Sequence, residues 1–227
     1  MNTRRHRFAS RPMLEGLEGR RLQAGNVTAS IVNGDLRIIG DNLSNQVVVI
    51  EDAGRYRVRG LNNTKINSAA ADLFFSQEQL TRDLRVDMKG GNDIFLLVLN
   101  GIQVPRDVKV SGGDGNDTVG FDQVNVGNDL TIDMGRGNDV VNLENTLVGD
   151  DMTIDTGADR DRVRLANVQV QDRLDIDLGS GNADLLQLEQ VSATRARLRG
   201  GSGNADELRR TDVTIDDLQF NGFEELS

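Results

Sequence analysis

The chain has 227 residues, among them 25 Gly, 27 Asp, 20 Asn and only 9 Glu, with no Cys, no Trp, one Tyr and one His. Short acids and amides belong to turns and argue against a mainly helical protein, while the absent Cys and lone His remove disulfide scaffolds, zinc-thiolate sites, cysteine nucleophiles and imidazole triads. The formal charge of −10 is uneven: residues 1–25 hold six Arg and two Glu, which leaves 20 basic and 34 acidic groups for a body that repels nucleic acid and anionic membranes.

In chain order, residues 1–25 read as a disordered basic segment without the apolar stretch of an ordinary secretory signal, and no run approaches 18 consecutive apolar residues, so membrane insertion is not expected. Residues 26–60 read as an N-terminal β cap. Val27–Val32 and Leu36–Ile39 flank Asn33-Gly34, a strong hairpin signal, and Gln46–Ile50 and Tyr56–Arg59 flank Glu51–Gly54, which reads as a second hairpin or a bent coil. Residues 61–83 form an irregular first coil in which Leu73, Phe74 and Phe75 are expected to join the core and Ser76–Asp83 to make one helical turn.

From Leu84 a repeat takes over. The segments LRVDMKGGND, VKVSGGDGND, LTIDMGRGND, MTIDTGADRD, LDIDLGSGNAD and ARLRGGSGNAD start at residues 84, 108, 130, 152, 174 and 196, and Leu218 opens a truncated seventh. From Val108 the spacing is 22 throughout, and self-similarity at such a period marks stacked architectures. Within a unit the apolar residues alternate in three short pieces: Leu130 with Ile132, Val141 with Leu143, and Thr146 with Val148. One unit of 22 residues buries too little to offset an ordering cost of about 1 to 2 kcal/mol per residue, so units must stack. The expected fold is all-β, a right-handed parallel β-helix over residues 84–217 with three strands per coil. Residues 218–227, with Phe220, Phe223 and Leu226, are expected to close the far end, so that caps at both ends make the solenoid complete. Gln123, Asn145, Asn167 and Gln190 precede the third strand in successive coils, either as a stacked amide ladder or simply as recurring turn residues.

The first turn of each coil gathers the chemistry. In register, Asp117, Asp139 and Asp161 form one carboxylate column and Asp133, Asp155 and Asp177 a second. Like charges about 4.8 Å apart repel by roughly 1 kcal/mol in water and more in a protein, so such columns either hold cations or fan into solvent, where Arg136, Arg160 and Arg162 can partly neutralise them.

The nonapeptide Gly112-Gly-Asp-Gly-Asn-Asp117-Thr-Val-Gly120 resembles the RTX, or haemolysin-type, calcium-binding repeat. That resemblance implies Ca²⁺ between like turns, held by the motif aspartate and backbone carbonyls. By position it implicates Asp117 in full and Asp139 without the first glycine. It extends to Asp93 in a shortened match, Asp161 without the second glycine, and Asp184 and Asp206 after an inserted Ala. Residues 11–25, through Leu17-Glu18, Arg20 or Arg21 and Leu22, resemble the LEPR-XLL type of N-terminal segment on planctomycete surface and secreted proteins, although Gly19 stands where that family has proline. Joined to the solenoid body, this resemblance implies a bacterial extracellular or cell-surface protein.

The function expected is therefore a non-enzymatic structural or adhesive module with calcium-supported coils, its partner a cell-surface polysaccharide or another surface protein. The alternative is a polysaccharide-binding or polysaccharide-degrading β-helix enzyme that uses the outward column Asn142, Arg164, Gln187 and Arg209. Scarce exposed aromatics disfavour it. An intracellular scaffold is the third class.

Overall fold

A computed structural model describes residues 25–224; the basic segment 1–24, with its LEPR-type residues, and Leu226 lie outside the described residues. The described chain is all strand and turn, folded as a parallel β-solenoid. Two antiparallel hairpins open it. β1 (Asn26–Val32) pairs with β2 (Asp35–Ile39) across Asn33 and Gly34, whose φ of 53° and 85° are the left-handed pair that a tight hairpin turn requires. β3 (Gln46–Asp52) pairs with β4 (Arg55–Gly60) across Ala53 and Gly54, at 52° and 76°. The short strand β5 (Lys65–Ile66) runs beside β1, and β6 (Leu73–Ser76) runs antiparallel to β4.

The coils follow. The first repeat holds β7 (Leu84–Asp87), β8 (Ile94–Val98) and β9 (Gln103–Val104), and the second β10 (Val108–Asp114), β11 (Thr118–Asp122) and β12 (Asn125–Val126). The next two are β13 (Leu130–Arg136) with β14 (Val140–Val148), then β15 (Met152–Asp155) with β16 (Arg162–Val170). Last come β17 (Arg173–Asp177), the long β18 (Leu185–Arg199), β19 (Glu207–Thr211) and β20 (Thr214–Asn221). Pairing is parallel and keeps the 22-residue register: Val108, Leu130, Met152, Leu174, Ala196 and Leu218 stack in one column. The same column continues through Leu84 to Leu36, and Val47 stacks on Phe95. The first coil thus begins at Leu36, inside the segment expected to form the N-terminal cap, and the long excursion through β4–β6 hides it from the period.

Inward positions are almost dry: Leu130, Ile132, Val141 and Leu143 are all 0% exposed. Each inward Leu or Ile brings about 1.5–3 kcal/mol on full burial, and Phe95 and Phe121 meet edge-to-face at 6.3 Å. Gln123, Asn145, Asn167 and Gln190 sit where the second strand bends into the third, with φ of 55°, 47°, 53° and 53°. At this corner the strand parity resets, giving two adjacent outward residues and then an inward one, as in Glu144, Asn145 and Thr146. The amide ladder forms over part of its length: Asn167 donates to Asn145 Oδ1 (2.8 Å), and Asn145 to Asp122 Oδ1 (2.9 Å).

Three local expectations are corrected. Phe74 lies outside the core, 42% exposed beneath the guanidiniums of Arg55 and Arg57, because β6 turns Leu73 and Phe75 inward and leaves the residue between them on the other face. Residues 77–79 form a turn, not a helix. Phe220 does stack on Leu198, yet it is 52% exposed, because no further coil covers it among the described residues.

Candidate cation-binding column

The turn after the first strand of each coil must reverse direction while the coil before it lies one strand spacing away. Gly135 shows the constraint: its φ is 95°, and a Cβ there would collide with the carbonyl of Gly113 in the preceding coil. Only glycine fits both the left-handed backbone and the close approach, which is why Gly recurs in this column.

The tightened turn places its closing residues, Asn-Asp in three coils and Asn-Ala-Asp in two, in opposite roles. Asn side chains stay outside and reach forward. The amide of Asn138 donates to Asn116 Oδ1 (2.8 Å), that of Asn116 to Asn92 (2.9 Å), and that of Asn204 to Asn182 (3.0 Å). Asp side chains point inward and reach back. Asp117 Oδ1 accepts from the amide of Asp93 (2.7 Å), Asp139 from Asp117 (2.7 Å), Asp161 from Asp139 (2.8 Å), Asp184 from Asp161 (2.8 Å) and Asp206 from Asp184 (3.1 Å). The structure therefore brings all six expected aspartates, Asp93, Asp117, Asp139, Asp161, Asp184 and Asp206, into one ladder, none more than 2% exposed. The solvent-fanned alternative fails: Arg136 and Arg162 pair with none of them, and Arg160 donates to the carbonyl of Ala183. Asn45, also fully buried, heads the ladder, its amide bonded to Asp93 Oδ1 (2.6 Å), and Glu224 ends the stack by accepting from the amide of Ala205 (2.9 Å). Neither had a repeat around it to reveal it in the sequence.

Each ladder carboxyl uses one oxygen. The other, Oδ2, is buried without a hydrogen-bond partner in all six residues. An orphaned ionised oxygen is costly, and burial, against the donated amides, pushes Asp93, Asp139 and Asp161 up to about 7 and raises Asp117 and Asp184 as well. Neighbouring rungs add to the rise, as Asp117 does for Asp93 and Asp139.

The donor set suits a hard divalent ion, which takes carboxylate and carbonyl oxygens. Room is the deciding variable. The inward position at the start of the turn is filled by Met88, Met134, Thr156 or Leu178, all buried, but by glycine in two coils: Gly200, beside Asp206, and Gly112, in the coil of the full nonapeptide. A Cβ on Gly112 would sit 2.7 Å from Asp117 Oδ2 and 2.8 Å from the carbonyl oxygen of Met134, so that two oxygens of different coils line this small cradle.

Elsewhere the carboxylates are less suited. Asp133, Asp155 and Asp177 do stack in register, but outward. Burial and then the charges of Asp177 and Asp133 raise Asp155, and Arg199 holds Asp177 at 2.8 Å. Asp150, Asp151 and Asp172 bring three oxygens within 4.8 Å of one another, a grouping the repeat did not advertise, yet Arg173 and Arg195 already pair with Asp151 and Asp172 at 2.6 Å. The outward column Asn142, Arg164, Gln187 and Arg209 is real. Its cations are engaged, Arg164 by Glu144 and Glu189, Arg209 by Glu207. No family model, no curated protein and no solved structure matches the chain.

Proposed function

We propose that this protein is a non-enzymatic structural or adhesive module of the bacterial cell surface or extracellular space, with a β-solenoid whose inner aspartate ladder takes up Ca²⁺. The observation that carries the reading is the line of six buried carboxyl oxygens without partners; a bound cation would satisfy what the protein leaves open. The Gly112 cradle, with Asp117 Oδ2 and the Met134 carbonyl, is the best-suited place on the ladder, and the remaining ligands would be further carbonyls or water. The location rests on the resemblance of residues 11–25, and the partner is a surface polysaccharide or another surface protein. Outward basic groups tied to neighbouring acids favour a scaffold over a catalyst.

The test is a thermal melt of the purified chain in EGTA and in millimolar CaCl₂. Ligand at a hundred times its dissociation constant stabilises the native state by about 2.7 kcal/mol, which for a chain of this size raises Tm by roughly 5 to 11 °C. Asp117→Asn should remove most of the rise while leaving the β signature in circular dichroism. An unchanged Tm with and without calcium would sink the metal reading.

A further inference from the structure

The two ends of the solenoid are finished differently. At the N-terminal end both strands of the first coil already have antiparallel partners on their outer edges, β1 on β2 and β4 on β3. The core beneath is sealed: Val27, Tyr56, Val58 and Leu80 are at most 1% exposed. At the C-terminal end β19 and β20 pair only with β18. Their outer backbone edges have no strand partner among the described residues, and the inward side chains of this last coil face outward through the open end.

Those side chains continue dry columns. Leu208 stacks on Leu186, Ile215 on Ala193, Leu218 on Ala196 and Phe220 on Leu198. The partners beneath are 0 to 9% exposed, whereas Leu208, Ile215 and Leu218 are half-buried and Phe220 is 52% exposed. The column of Leu97, Phe121, Leu143, Leu165 and Leu188 ends on Arg210. Its guanidinium lies 4.9 Å from the centre of the Phe220 ring, over an otherwise apolar floor. An open parallel edge with an apolar centre is a surface that proteins ordinarily cover.

We propose that a second copy of this chain covers it, end to end, by two-fold symmetry. Two observations select this occupant. First, the core at the opposite end is sealed beneath β1 and β4, so the apolar floor meets no apolar counterpart in a head-to-tail stack and finds one only tail to tail, in a contact that closes as a dimer instead of growing as a fibre. Second, the end is self-complementary in charge: β19 carries Arg209 and Arg210 against one acid, Glu207, which pairs with Arg209, and β20 carries Asp216 and Asp217 with no cation. A two-fold contact that lays β19 of one copy along β20 of the other runs the strands antiparallel and sets each basic strand beside an acidic one, with Phe220, Leu218 and Ile215 of both copies meeting at the centre.

Sedimentation equilibrium of the full chain tests this. At micromolar concentration the parent should sediment at twice its 24.8 kDa. Arg209→Glu/Arg210→Glu and Asp216→Arg/Asp217→Arg should each weaken self-association by at least tenfold, and an equimolar mixture of the two should recover the dimer as a mixed pair. Circular dichroism and Tm establish that each variant is folded; if a double variant is not, Arg210→Gln and Asp217→Asn replace it, with smaller shifts in the same direction. A parent that is monomeric throughout the micromolar range overturns the proposal. So does an open-ended series of larger species, a dimer indifferent to both variants, or variants that dimerise no better mixed than alone.

Discussion

Replacing Asp139 by Asn tests the ladder most sharply, because it keeps the Oδ1 acceptor for the amide of Asp117 and removes the charge. The folded carboxyl is raised from 3.8 to about 7, chiefly by burial, with the Asp117 amide opposing and the charges of Asp117 and Asp159 adding. A group whose pKa rises on folding gives its full stability below the unfolded value and loses it as pH climbs through the folded one. At about 1.4 kcal/mol per unit, the loss accrues as pH rises from 3.8 to about 7 and amounts to on the order of 4 kcal/mol by pH 8. The Asn variant escapes that loss but buries an NH₂ without an acceptor, at a cost of about 1–3 kcal/mol. In EGTA the two proteins should therefore cross: at pH 4, where the parent has lost under about 1 kcal/mol, the variant melts below it, and at pH 8 above it by about 1–3 kcal/mol, roughly 2 to 12 °C. The parent's decline from pH 5 to pH 8 avoids the opposite effect of Asp35, which, despite its burial, Arg82, Arg85 and Arg37 and the amide of Asp83 hold below 3.8 and which destabilises only in stronger acid. Calcium should flatten the parent's decline toward pH 8. A parent Tm that is level or rising from pH 5 to pH 8 in EGTA, or two curves that never cross, would refute the reasoning.

Other substitutions separate the roles within the turn. Gly135→Ala should cost more than about 3 kcal/mol in chemical denaturation, since it forces a Cβ into a left-handed backbone and against the Gly113 carbonyl. Asn116→Ala removes the acceptor for the amide of Asn138 on an exposed face, where water can replace it, and should cost under about 1 kcal/mol. Gln190→Asn should gain up to about 1 kcal/mol in the same assay, because Asn tolerates the φ of 53° better than Gln.

The repeat was legible because every coil meets the same steric demand at the same position: an inward aliphatic every second residue and a glycine where the preceding carbonyl comes close. The coil that starts at Leu36 was not, since residues 53–83 leave the stack and return 48 residues later, at Leu84, to the same column. The direction of the ladder aspartates was hidden for a related reason. Strand parity predicts facing only along a regular strand, and Gly113 and Gly115, with φ of 108° and 135°, break it just before Asp117. Composition showed the acids and the period lined them up, but the left-handed turn turned them inward. Phe220 shows the converse limit: parity placed it inward, while among the described residues no neighbouring coil covers it.

The two ladders point opposite ways along the axis, and this gives the stack a history as well as a structure. Each Asn oxygen serves an amide in the coil that comes after it, so the newest coil finds its acceptor already made. Each Asp amide waits for a carboxylate one repeat later, so the same coil stays unfinished until the next one arrives. A chain synthesised from its N-terminus thus always carries one half-tied rung at its growing tip, which holds the register open for the next coil.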